Sequence, residues 1–282
     1  MSPSTDRQRA AARARLEREM AARAEAARRR RRIQVSVAAG VAVLLLILGT
    51  VWVFTRGGDD EQGQPAAQPS TPAADPGCVW NPWPDPSASP APSPAPPVKD
   101  VGTPPTSGLP RSGTQILTIS TNLGDIKVKM DLAKSPCIAA NFAYLASKDF
   151  YQGTKCHRAF EGMLQCGDPF AKGPGWRDTD GQGGPAYKFP DENLPIDQRP
   201  TYPRGTMAMA NSGPGTNGSQ FFFIYKDTNL DGPNYSVVGT IIEGLDLLDE
   251  VGKEGTDAED GGAGHPKKEV VITSVSVDPP KS

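Results

Sequence analysis

The chain has 282 residues, 37% of them hydrophobic, and a formal net charge of -2, a length that admits one large domain or two ordinary ones. That near-neutral total hides an asymmetry, because residues 1–32 carry eleven Arg against Asp6, Glu17, Glu19 and Glu25, and the remainder is acidic. The Arg run stops where an apolar run starts, which points to anionic lipid headgroups and away from nucleic acid as the basic segment's partner, and only the C-terminal part has the composition to bury a core.

Residues 7–32 contain no Gly or Pro and are rich in Ala, Arg and Glu, so helix is their local preference; with few large apolar side chains they read as a solvated or membrane-surface segment. From Ile33 to Phe54 no charge occurs for twenty-two residues, and at about 1.5 Å per residue this matches a hydrocarbon core of about 30 Å. The expectation is a transmembrane helix over 33–54. Arg28 to Arg32 precede it and Asp59, Asp60 and Glu61 follow, which places residues 1–32 in the cytoplasm and the rest outside a plasma membrane. A cleaved signal peptide shares the basic-then-apolar pattern, but the run is long for a signal core, and Thr50 to Arg56 offers no small-x-small site.

Residues 55–113 are dominated by Pro, Ala, Ser, Gly and Asp, with PSASPAPSPAPP at their centre. Such a composition buries too little apolar surface to fold and predicts a disordered, semi-extended linker. Gly77 to Pro84 (GCVWNPWP) interrupts the low complexity and is the stretch expected to dock onto a folded domain. From 114 to 279 the pattern turns globular. Ile116 to Ser120 and Asp125 to Asp131 alternate and form a hairpin about Asn122 to Gly124. Ser135-Pro136 then reads as an N-cap followed by proline at the first helical position, opening a helix with Ile138, Phe142, Leu145 and Ala146 at helical spacing. Strands are predicted at Thr206 to Ala210, Gln220 to Tyr225, Ser236 to Ile241 and Glu269 to Asp278, with a second helix over Glu243 to Val251. Many short strands with few helices point to an antiparallel barrel or sandwich.

Two segments carry a family resemblance. Met209 to Phe223 (MANSGPGTNGSQFFF) resembles the cyclophilin signature, and Cys156 to Asp168 (CHRAFEGMLQCGD) resembles the cyclophilin stretch that holds the catalytic Arg. The hairpin TNLGDIKVKMD, the helix SPCIAANFAYLAS, the loop GQGGPAYKFPDEN and the ending YSVVGTIIEGLDLLDEV follow in the family's order, so the resemblance spans roughly 115 to 278. It implies a closed eight-stranded antiparallel barrel capped by two helices, with a groove for proline-containing polypeptides and peptidyl-prolyl cis-trans isomerase activity without a cofactor or metal. By position, Arg158 corresponds to the catalytic Arg, with Gln165 and Asn211 beside it. Phe160, Met163, Ala210, Gln220, Phe222, Leu230 and Tyr235 correspond to substrate-binding positions.

Three departures stand out. The stretch between Arg158 and Gln165 is one residue shorter than the common eukaryotic pattern, which leaves open whether Met163 or Leu164 faces the proline pocket. Asn229 stands where a Trp often precedes the equivalent of Leu230, and Tyr235 stands where many members carry His. The chemistry suits these residues, because rotation about an X-Pro bond has a barrier of about 18–20 kcal/mol and needs a catalyst that binds the twisted amide better than either planar isomer. A fixed guanidinium aimed at the pyramidal proline nitrogen does that. Phe221 and Phe223 are expected in the core and Phe222 in the groove, since neighbours on a strand face opposite ways.

Beyond the membrane the substrates expected are secreted or cell-wall proteins. The alternative is a proline-peptide-binding module or holdase, which would use the same groove without needing Arg158. Cys78, Cys137, Cys156 and Cys166 lie on the side expected to be oxidising, so disulfides are favoured over zinc. Four cysteines allow three pairings; two of Cys137, Cys156 and Cys166 are expected to pair within the domain, with Cys78 stapling the linker to it.

Overall fold

The computed structural model describes residues 77–87, 95–230, 232–259 and 262–281. The basic segment 1–32 and the expected transmembrane helix 33–54 lie outside the described residues; among those described, no helix is long and apolar enough to cross a membrane. The described elements are β1 (Asn81–Pro82), β2 (Val98–Lys99), β3 (Thr114–Thr121), β4 (Gly124–Asp131), α1 (Pro136–Ala146), β5 (Thr154–Lys155), β6 (Arg158–Phe160) and β7 (Met163–Cys166). They continue with β8 (Gly184–Pro185), β9 (Tyr187–Lys188), β10 (Thr206–Met209), β11 (Phe221–Ile224), β12 (Val237–Glu243), α2 (Leu245–Glu254) and β13 (Val271–Val277).

Nine strands form one antiparallel sheet in the order β5-β13-β3-β4-β12-β10-β11-β7-β6. Period-two alternation builds its core: Leu117 and Ile119 from β3, Ile126, Val128 and Met130 from β4, and Phe221 and Phe223 from β11 are all buried on one face. Residue 239 on β12 must be glycine, because a Cβ there would meet the Lys129 carbonyl oxygen at 2.2 Å. The architecture is a half-barrel with two helices, and it corrects the expected closed eight-stranded barrel. The end strands β5 and β6 are consecutive in the chain yet not paired to each other; among the described residues, the outer edge of β6 is met by an isolated bridge from Gly264 to Ala159. The chain bends between them at Cys156 and His157, which takes β5 to one end of the sheet and β6 to the other.

The helix after the hairpin starts where expected, but its cap differs. Ser135 makes no capping bond; its hydroxyl donates to the Val237 carbonyl (3.0 Å) and accepts from Asn193 (3.0 Å). The first-turn amide of Ile138 donates instead to the carboxylate of Glu192 (2.6 Å), an anion placed where helix amides lack partners. Composition had no means of showing that a residue 54 positions away would take over the cap.

Residues 77–87 and 95–113, within the stretch expected to be a linker, run against the domain. Trp80 packs edge-on to Tyr187 and Phe189 at 5.4 and 5.3 Å, β1 pairs with β9 and β2 with β8, and the Tyr144 hydroxyl donates to the Val101 carbonyl (2.5 Å). A disulfide joins Cys78 to Cys137, and a second joins Cys156 to Cys166. Both agree with the expectation of one bridge inside the domain and Cys78 as a staple. The Cys78–Cys137 bridge closes 59 residues of chain. Its removal by Cys78→Ala with Cys137→Ala is expected to cost about 2–4 kcal/mol, seen as a lower urea midpoint in equilibrium unfolding.

Candidate active site

The edge strand β6, the neighbouring strands β7 and β11 and the loops after β10 and before β12 bring the candidate residues together. Arg158 and Gln165 are register partners on β6 and β7, as are Phe160 and Met163, so all four side chains point to one face. Phe222 on β11 pairs with Gln165, and Ala210, Asn211, Leu230 and Tyr235 close the far side. These nine residues line a cleft of about 370 Å³. The alternation also answers the open question of the shortened stretch: Met163 faces the cleft and Leu164 is fully buried in the core.

Gln220 sits behind the lining. Its side-chain oxygen accepts from the Gln165 amide (2.9 Å), while its nitrogen donates to the carbonyls of Gly181 (2.7 Å) and Gly183 (2.8 Å). This chain of bonds sets which way the Gln165 amide points, so its oxygen faces Arg158, whose Nη1 lies 3.5 Å away. The Arg158 guanidinium carbon also stands 5.2 Å from the Phe160 ring centroid. Arg158 is exposed and makes no ion pair among the described residues. Its charge is therefore not spent on a carboxylate among the described residues.

The apolar wall is an aromatic cluster. Tyr235 meets Phe222 edge-on at 5.2 Å, and Tyr202, fully buried, packs against both at 6.2 and 6.3 Å. The Tyr202 hydroxyl accepts from the Tyr235 amide (2.8 Å) and donates to the Tyr235 carbonyl (3.2 Å), fixing that residue's backbone. Leu230 reaches the cleft from a backbone with φ of 43°, a conformation uncommon outside glycine. Asn229 accepts from the Thr201 amide (3.0 Å), so it buttresses the loop rather than lining the cleft. The Asn211 side chain bonds the Asn234 carbonyl (2.8 Å) and accepts from the Gly213 amide (3.1 Å), which commits it to its own loop.

Sequence reasoning missed two supports. Tyr202 lies in a Pro-rich loop with no periodic pattern around it. Asp168 accepts from the amides of Phe170, Gly181 and Gly183 (2.8, 2.6 and 3.2 Å) and so shapes the turn whose carbonyls hold Gln220. Residue 183 must be glycine, since a Cβ would come within 2.2 Å of the Asp168 carboxylate.

His157, next to Arg158, is 4% exposed, and burial lowers its pKa to about 4, against smaller opposing pulls from Asp168 and Asp180. A histidine depressed in this way supports the fold above its unfolded pKa of about 6.5, and that stability is lost as pH falls toward 4. The loss is expected to be on the order of 3 kcal/mol. Half-buried Glu192, whose carboxyl is pushed up by desolvation, contributes with the opposite sign in the same acid range. The measurement is therefore the difference in urea midpoint between wild type and His157→Phe from pH 7 to 4, with the variant expected to fall less steeply.

The antiparallel half-barrel thus carries a cleft in which the Phe160, Met163, Phe222, Leu230 and Tyr235 side chains stand beside the polar groups of Arg158, Gln165 and Asn211. Residues 116–277 match the family described as cyclophilin type peptidyl-prolyl cis-trans isomerase/CLD. The chain is 43% identical over 205 residues to the probable peptidyl-prolyl cis-trans isomerase B of Mycobacterium leprae, covering 65% of each. It is 40% identical over 232 residues to the protein of that name in Mycobacterium tuberculosis, covering 76% of this chain and 68% of the other, so it spans about two thirds of these relatives. A solved structure of a cyclophilin type peptidyl-prolyl cis-trans isomerase from Cryptosporidium parvum aligns with a TM-score of 0.50 at 28% identity, over 60% of this chain and 99% of that one. The chain belongs to the cyclophilin-type peptidyl-prolyl cis-trans isomerases, an enzyme family.

Proposed function

We propose that the chain accelerates cis-trans isomerisation of X-Pro bonds in polypeptides exported across a plasma membrane, with Arg158 stabilising the twisted amide. The observation that carries this reading is the Arg158 guanidinium, unpaired among the described residues and standing at the rim of the Phe160, Met163, Phe222, Leu230 and Tyr235 wall. As the amide twists, conjugation is lost and the proline nitrogen acquires a lone pair. A directional cationic donor then binds the twisted state more strongly than either planar isomer, which is the requirement for a rate gain.

The aromatic wall holds the pyrrolidine ring while Gln165, oriented by Gln220, and the main chain beside Asn211 hold the peptide. One side of the bond is kept still while the other turns. No bond is made or broken, so neither cofactor nor metal is called for. The basic segment 1–32 and the apolar run 33–54 support a single-pass anchor with residues 114–279 outside, where secreted or cell-wall proteins emerge.

The test is a protease-coupled isomerisation assay with the full chain and X-Pro tetrapeptides, together with protease protection of intact cells. Rate enhancement and digestion of the catalytic domain from outside are expected. Binding of proline peptides without any rate enhancement would convert the reading to a binding module or holdase, and protection of residues 114–279 in intact cells would overturn the topology.

A further inference from the structure

The strand that carries Arg158 is one of the two end strands of the sheet. It is three residues long and lies at one end of the ladder, hydrogen-bonded along one side to β7 and met on the other, among the described residues, by an isolated bridge from Gly264. Edge strands of this kind have little to resist fraying. Along the chain, β6 is reached from β5, the opposite end of the same sheet, through the bend at Cys156 and His157. The place where a closed barrel would have a hydrogen-bonded seam thus coincides with the two residues before Arg158.

The Cys156–Cys166 disulfide lies at that bend. Cys156 is held on the β5 side, its amide donating to the Val270 carbonyl (2.9 Å), whereas Cys166 is the last residue of β7 and pairs with Phe221 on β11. Both cysteines are fully buried. The bridge therefore ties the corner entering β6 to an interior strand of the ladder, across the gap the hydrogen bonds leave open, and it joins residues flanking the Arg158–Gln165 pair. We propose that this disulfide is a positioning element for catalysis: it holds β6 in register on β7 so that Arg158 meets the turning amide. The proposal rests on the isomerase reading given above.

A bridge that only stabilised the fold would behave differently from one that places Arg158. Cys156–Cys166 spans 10 residues, against 59 for Cys78–Cys137, so the longer loop should dominate stability while the shorter one should dominate rate. Met163, Phe222 and Tyr235, which grip the substrate, sit on β7, on β11 and in the loop before β12, away from the bend. In the full chain, Cys156→Ala with Cys166→Ala is expected to lower kcat about tenfold or more, with KM little changed, since small misplacements of a catalytic group have effects of this size. Cys78→Ala with Cys137→Ala should lower the thermal midpoint and leave kcat as in wild type. In that second variant a single disulfide remains, so dithiothreitol under mild denaturant followed by reoxidation should remove and then restore kcat. Unchanged kcat in folded protein without the Cys156–Cys166 bridge would overturn the proposal. Wild-type protein with no rate enhancement at all would overturn the isomerase reading and this proposal together.

Discussion

Arg158→Ala is expected to lower kcat/KM for X-Pro tetrapeptides by about 10²- to 10³-fold, corresponding to about 2.7–4 kcal/mol of lost transition-state stabilisation, the range found when one preorganised donor is removed from an active site. The fall should lie in kcat. The side chain is exposed and held by one long contact to Gln165 and the Phe160 ring, so its truncation removes little ground-state binding and little stability. Arg158→Lys is informative beside it, because an ammonium keeps the charge but loses the planar, directional donors, and most of the loss should persist. Stopped-flow isomerisation with urea unfolding of each variant checks both statements. A drop of less than threefold in folded Arg158→Ala would remove the guanidinium from the mechanism and leave the aromatic wall to explain any catalysis.

Phe221→Ala is expected to destabilise the domain by about 3–5 kcal/mol, the usual cost of deleting a buried phenyl ring together with the cavity it leaves. Phe221 is fully buried, with ring centroids of Phe223, Phe142 and Tyr151 at 5.3, 5.7 and 6.0 Å, so the hole would open between β11, α1 and the segment after α1, with several rigid neighbours unable to collapse into it. The urea midpoint should fall at an unchanged m-value. Its neighbour separates stability from binding. Phe222 packs with Met163, Tyr202 and Tyr235 on the opposite face and lines the cleft, and Phe222→Ala is the one of the pair expected to raise KM for proline peptides. A KM rise with Phe221→Ala and none with Phe222→Ala would mean that the strand faces the other way.

Much of the domain is legible in the sequence because the signals are local. The hairpin of β3 and β4, the helix opening at Pro136 and the strands β10, β11, β12 and β13 each declare themselves through alternation, helical spacing or turn residues within a few positions. The short strands β5, β6 and β7 do not, because they are only two to four residues long and too few residues alternate to make a pattern. In the N-terminal arm, docking of Gly77 to Pro84 was legible from its Cys and two Trp, but that of residues 95–113 was not: Pro and Ala content argues against an independent core without forbidding docking onto a core that already exists, which the β2 pairing with β8 achieves beside the contacts of Cys78 and Trp80.

The candidate site divides in the same way. Its residue types were set by two contiguous motifs, and period-two geometry alone assigned Phe222 to one face and Phe221 and Phe223 to the other. What only tertiary structure decided is which distant groups complete and orient them: Tyr202 behind Phe222, Asp168 shaping the turn that holds Gln220, Glu192 capping α1 in place of Ser135, Met163 rather than Leu164 in the cleft, and the pairing of four cysteines. Each of these joins residues through space with no fixed spacing along the chain, and the free energy that selects them comes from burial and satisfied hydrogen bonds in the folded domain. The sequence by itself therefore determined the family, the alternation of faces and the charge carried by Arg158, because these are properties of residues and their immediate neighbours. The open seam between β5 and β6, and the disulfide that spans it, were decided by the fold.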